Sequence, residues 1–96
     1  MKIIKLLPET GVFAENKDIA RDIRIKDITP LLEKNEEIIL DFEGVESATQ
    51  SFVHALISEL IRSFGSEILD NIYFKNCNKS IQEIINIVVD YMQAAA

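Results

Sequence analysis

The run Ile38-Ile39-Leu40-Asp41-Phe42 constrains this chain more than any other segment, because it is almost unbroken apolar sequence between the charged Asn35-Glu36-Glu37 and the breaker Gly44. Apolar residues without alternation match a strand covered on both faces of a parallel sheet, so this run is expected to be the central strand. Parallel strands need long crossovers, and the flanking sequence supplies them. Lys2-Ile3-Ile4-Lys5-Leu6-Leu7 has strand composition over 2–7, and Pro8-Glu9-Thr10-Gly11 ends it with turn chemistry. From Asn16 to Asn35 the positions Ile19, Ile23, Ile28, Leu31 and Leu32 recur at helical spacing. Pro30 should break or restart that helix, with Thr29 as the new cap, so that two short helical pieces or one kinked helix would fit.

Beyond the central run, Ser47 with Gln50 matches a capping box that opens a second helix. Its apolar stripe is Phe52, Val53, Leu56, Ile57, Leu60, Ile61 and Phe64, and Gly65 supplies the stop. Asn71-Ile72-Tyr73-Phe74-Lys75 reads as a third strand. Ser80 with Glu83 is another capping-box match, for a helix burying Ile81, Ile84, Ile85, Val88 and Met92. Ala94-Ala95-Ala96 reads as a frayed tail. The order β-α-β-α-β-α predicts an α/β domain with a mainly parallel sheet, right-handed crossovers and helices packed on it. The pattern leaves the position of the first strand open, including an antiparallel place at an edge.

Ninety-six residues build one core, so 1–96 is expected to be a single domain. A net charge of −6 repels phosphate backbones and anionic lipid, which argues against nucleic acid or a membrane surface as partner. The single Cys77 has no internal disulfide partner, and one His with one Cys makes no metal-ligand spacing. The expectation is a domain with no metal and no cofactor. Met1 to Leu7 is interrupted by Lys2 and Lys5, so it reads neither as a secretory signal nor as a membrane span, and a cytoplasmic home is expected.

The segment from Asp41 to Phe52 runs from the end of the central strand into a helix N-terminus, where open α/β sheets usually place their sites. The hydroxyls of Ser47, Thr49 and Ser51 serve either as caps or as acceptors of a phosphate stabilised by first-turn amides. Asp41, Glu43 and Glu46 read as an acidic rim. His54 lies at helical spacing from Ser51, Ser58 and Arg62, on the side away from the apolar stripe, and that side reads as a docking surface. Cys77 reads as a small packed hydrophobe rather than a reactive thiol.

Taken together, Ile38-Ile39-Leu40-Asp41-Phe42-Glu43-Gly44-Val45, Thr49-Gln50-Ser51-Phe52, Gly65 and Ile72-Tyr73-Phe74-Lys75-Asn76 resemble the STAS-like family of small uncharacterised domains. The resemblance covers roughly residues 36–92 as the core, with 1–35 as a variable N-terminal strand and helix. It implies a shortened relative of the STAS fold of bacterial anti-sigma-factor antagonists, some relatives of which occur beside histidine-kinase-type ATPases. In those antagonists an Asp-Ser-Ser-Gly motif at a helix N-terminus carries a phosphorylated second serine, which falls here on Ser51. Thr49 stands in place of the aspartate, Gln50 of the first serine and Phe52 of the glycine.

The resemblance therefore implies a non-enzymatic, regulatory protein-binding module that docks through Thr49, Ser51, His54, Ser58 and Arg62. Its implied partner is a regulatory histidine-kinase-type ATPase. Two alternatives are open: a small hydrolase or transferase in which His54 activates Ser51 beside Asp41, and a structural module that forms a homodimer through a sheet edge or helix face.

Overall fold

The computed structural model describes residues 1–95. The chain runs through β1 (Lys2–Lys5), α1 (Leu7–Thr10), β2 (Phe13–Ala14), α2 (Lys17–Ile23), a π-turn (Arg24–Ile28), α3 (Thr29–Glu33) and β3 (Ile38–Asp41). It continues through β4 (Ser47–Ala48), α4 (Gln50–Phe64), a 3-10 segment (Ser66–Asn71), β5 (Ile72–Lys75) and α5 (Lys79–Ala95). The expected α/β architecture with parallel strands is what forms. β3 is central in a three-stranded sheet of order β1-β3-β5, and β1 is parallel to it, with Ile3 opposite Ile39 and Ile39 opposite Tyr73. A second, two-stranded parallel sheet, β2-β4, was not visible as strand pattern.

Sheet order explains one departure from expectation. Because β1, β3 and β5 lie side by side in chain order, both crossovers step in the same direction, and right-handed connections then place all the helices on one face. α4 packs between α2 and α5 over that face. Ile38 and Leu40 point into the core beside Ile72, with Ile4 and Phe74 partly buried around them. The opposite face is bare rather than covered: Ile3 is 61% exposed and Tyr73 43%, and Ile39 between them is held to 8%.

β1 ends two residues early. Leu6 still donates its amide to Asp41 O (3.0 Å), but Pro8 then favours a helical turn, and Leu6 itself becomes fully buried. In the next helical segment Asn16 is the cap, its Oδ1 accepting from the amides of Asp18 (2.8 Å) and Ile19 (3.3 Å). The two short helical pieces expected around Pro30 form as α2 and α3, joined without a break in the helical path. The proline ring would crowd the carbonyl four residues back, and the backbone instead widens into the π-turn, where Thr29 N–H donates to Arg24 O five residues earlier. Thr29 has helical dihedrals and no capping role, contrary to expectation. The segment closes on Asn35 at φ +62°, with the amides of Asn35 and Glu36 donating to Leu32 O and Leu31 O (both 3.0 Å), a Schellman arrangement.

Both expected capping boxes are displaced by two residues. Thr49, not Ser47, caps α4, because Ser47 and Ala48 are taken up by pairing with Phe13 and Ala14. Asn78, not Ser80, caps α5, with Oδ1 accepting from Ile81 N–H (2.9 Å). The apolar stripe of α4 is buried as expected, with Phe64 only partly so. Gly65 ends α4 at φ +86° and donates to Ile61 O. Ala94 and Ala95 belong to α5 rather than to a tail, and Ala96 lies outside the described residues. Leu6, Ala14, Ala20, Ile23, Ile28 and Leu32 share the one core with residues of β3, α4 and α5. No described helix is long and apolar enough to cross a membrane.

Candidate functional site

The C-terminal ends of β1, β3 and β5 carry the connecting loops, and side chains stitch those loops together. Asp41 Oδ1 accepts from Asn76 Nδ2 (2.8 Å) and from the Glu43 amide (2.9 Å). These two bonds, the Asn76 one first, hold the Asp41 carboxyl below the usual carboxylate range. Asn78 caps α5 and also donates through Nδ2 to Glu46 O (2.7 Å), and Gln82 Nε2 donates to Cys77 O (2.8 Å). Gly44 turns the loop at φ +85°, where a Cβ would sit 2.6 Å from a Leu7 methyl. Only glycine meets both demands. Glu43 and Glu46 are exposed on this rim, and the described residues include no cluster of three His, Cys, Asp or Glu able to hold a metal.

The fixed rim presents the first turn of α4. Thr49 is anchored from both sides: its amide donates to Ala14 O (3.0 Å) and its Oγ1 accepts from Phe52 N–H (3.1 Å). Phe52 is fully buried, so it locks the helix start into the core. Ser51, one position earlier, is therefore held outward and exposed, on a turn whose leading amides have no partner within the helix. A shallow groove of about 450 Å³ beside it is lined by Lys17, Gln50, Ser51, His54 and Ala55. The spacing within α4 showed Ser51 next to His54. Lys17 comes from the start of α2, more than thirty residues away in sequence, and only the packing of α2 on α4 reveals it.

The remaining candidates separate. Ser58 is 2% exposed, so it belongs to the interior and not to the polar face expected for it. Its Oγ lies 3.4 Å from His54 Nδ1, which ties the half-buried imidazole to the helix flank. Arg62 is exposed and paired with Glu59 (2.6 Å), and eleven residues at 1.5 Å rise place it about 16 Å along α4 from Ser51. The five residues expected to share one surface thus reduce to Thr49, Ser51 and His54 at one end. His54 meets Ser58 rather than Ser51, and Asp41 is engaged by Asn76 and Glu43, so the arrangement required by a Ser51–His54–Asp41 relay is not formed. Cys77 is half-buried against the core, and burial raises its thiol to about 11, which leaves little thiolate at neutral pH.

A singly wound parallel sheet, helices on one face and a loop-to-helix site at the strand ends define a small α/β domain of STAS type. The family model for a STAS-like domain of unknown function matches residues 20–82, and the chain belongs to that family. The matched region begins within α2, ahead of the core boundary expected at residue 36, and so includes the π-turn and α3. No solved structure matches the chain.

Proposed function

We propose that this domain is a non-enzymatic protein-binding switch, similar in role to an anti-sigma-factor antagonist, with Ser51 as the point of modification. The observation that carries the reading is the outward, anchored position of Ser51 in the first turn of α4, in one groove with Lys17 and His54. A phosphate there would add about −1.5 to −2 charges at the positive end of the helix dipole, beside an ammonium group. The fold would tolerate that charge. An acidic partner docked on the groove would not, so binding would switch without refolding. The partner class implied by the family resemblance is a regulatory ATPase of the histidine-kinase type.

The test is affinity capture with wild-type, Ser51→Ala, Ser51→Asp and Lys17→Ala baits, with intact-mass analysis of each recovered bait. The expected result is a partner retained by wild type and Ser51→Ala, lost by Ser51→Asp, and one phosphate on wild type that is missing from Ser51→Ala. Recovery of the same proteins by all four baits would overturn the reading.

A further inference from the structure

β1 is an edge strand: among the described residues it pairs only with β3. The amides of Lys2 and Leu6 donate inward to Glu37 O and Asp41 O (both 3.0 Å). In a parallel ladder alternate residues bond the same neighbour, so Lys2, Ile4 and Leu6 are committed to β3. The N–H and C=O of Ile3 and of Lys5 therefore point to the open side. Those backbone groups are a template for one more strand.

The open side is a groove. Beside β1 lies a concavity of about 490 Å³ whose other wall is built by Lys26 and Asp27 from the π-turn and by Pro30 and Leu31 from α3. Ile4, Pro30 and Leu31 are half-buried and give it an apolar floor, while Lys2, Lys5 and Lys26 are exposed at its margins. Asp27 is the carboxylate of the lining, and Asp41, opposite Lys5 in the sheet, already accepts from Asn76 and the Glu43 amide. Ammonium groups thus outnumber carboxylates here, on a chain whose net charge is −6.

We propose that this groove takes an extended acidic segment of a partner protein as a fourth strand beside β1. Directly opposed residues of adjacent strands share a face and interact. Lys2-Ile3-Ile4-Lys5 therefore selects two central apolar residues flanked by carboxylates. The run reads the same in both directions, so its charge pattern admits a parallel or an antiparallel segment. The same rule disfavours the β1 of a second copy, because in either direction lysine would face lysine. A strand of four residues makes a small contact, so the complex is weak and exchanges readily.

The test is an amide-resolved NMR titration of the whole chain with the blocked hexapeptide Thr-Glu-Val-Val-Glu-Thr, up to about 2 mM, a range that reads weak interfaces. The expected result is downfield movement of the Ile3 and Lys5 amide protons, larger than at Lys2 and Ile4, whose amides are already bonded. The pair Lys5→Glu/Lys26→Glu, and separately the peptide Thr-Gln-Val-Val-Gln-Thr, should each bind at least tenfold more weakly. Ile3→Pro removes one outward donor and none of the β1–β3 bonds, so it should weaken binding as well. Thermal unfolding of each variant establishes that it is folded. No shift at Ile3 or Lys5 overturns the proposal, and so does equal affinity for the two peptides. Shifts centred on Ser51 and His54 would assign the acidic segment to the α4 groove instead and overturn it too. Concentration-dependent shifts at Ile3 and Lys5 without peptide would give the edge to a second copy, with the same consequence.

Discussion

The two faces of the sheet are made from the same three strands yet obey different rules. On the helix-covered face Ile38, Leu40 and Ile72 are buried in one core with residues of α2, α4 and α5. On the bare face Ile3 and Tyr73 stand in solvent, and Ile39 is shielded only by its own neighbours. Alternate residues of β3 are thus buried for different reasons: Leu40 by another layer of structure, Ile39 by lateral crowding within its own layer. Strand composition reports apolarity without reporting its cause. The order of the strands decides which face receives the helices.

The comparison is sharpest in stability. Leu40→Ala leaves a cavity beneath close-packed helices and should cost about 3–4 kcal/mol, whereas Ile39→Ala opens toward solvent and should cost about 1–2 kcal/mol. Urea unfolding of both variants at low micromolar concentration reads the difference. Equal losses would mean that the bare face is covered even in dilute solution.

A smaller effect lies at the end of β3. Asp41 has a carboxyl held below its ordinary value of 3.8 by Asn76 and the Glu43 amide. A depressed folded-state value stabilises the fold above the ordinary value and is lost as pH falls through the depressed one. Stability should therefore decline below about pH 4 in part through this carboxyl. Asn76→Gly keeps the left-handed backbone at φ +60° and removes the amide donor. Its acid-side decline should be shallower than that of wild type when unfolding is followed from about pH 6 to about pH 3. An unchanged slope would remove Asp41 from the acid response.

The smallest effect belongs to the bare face itself. Ile3→Thr should change the unfolding free energy of the monomer by no more than about 0.5 kcal/mol, as at other exposed positions. A larger loss in dilute solution would show that Ile3 is packed, and the contrast between the faces would fail.

Periodic features were legible in the sequence. The β3 run, the α4 stripe and the α5 set of Ile81, Ile85, Val88 and Met92 all follow from spacing, because burial on one side of a regular element repeats with that element's period. Most of what spacing missed depends on distant partners. Ser47 looked like a cap because its pairing with Phe13 lies outside any local window. Ser58 looked exposed because a serine interrupts an apolar pattern, although its hydroxyl finds His54 within the same helix. Ser51 and His54 were found because they share one helix, whereas Lys17 was missed because it joins them across two.

The π-turn at 24–28 resets the phase of the segment that contains it. Five residues separate Ile23 from Ile28, a spacing that carries two side chains to widely different sides of an ordinary α-helix, yet both are buried. The wider turn absorbs the extra residue, so α2 and α3 present one inner side while keeping separate counts along the chain. Ile25, inside the joint, is the residue displaced outward. Positions before and after the joint therefore belong to two helical wheels, and a substitution in α3 takes its orientation from Ile28 and Leu32 rather than from Ile19 and Ile23.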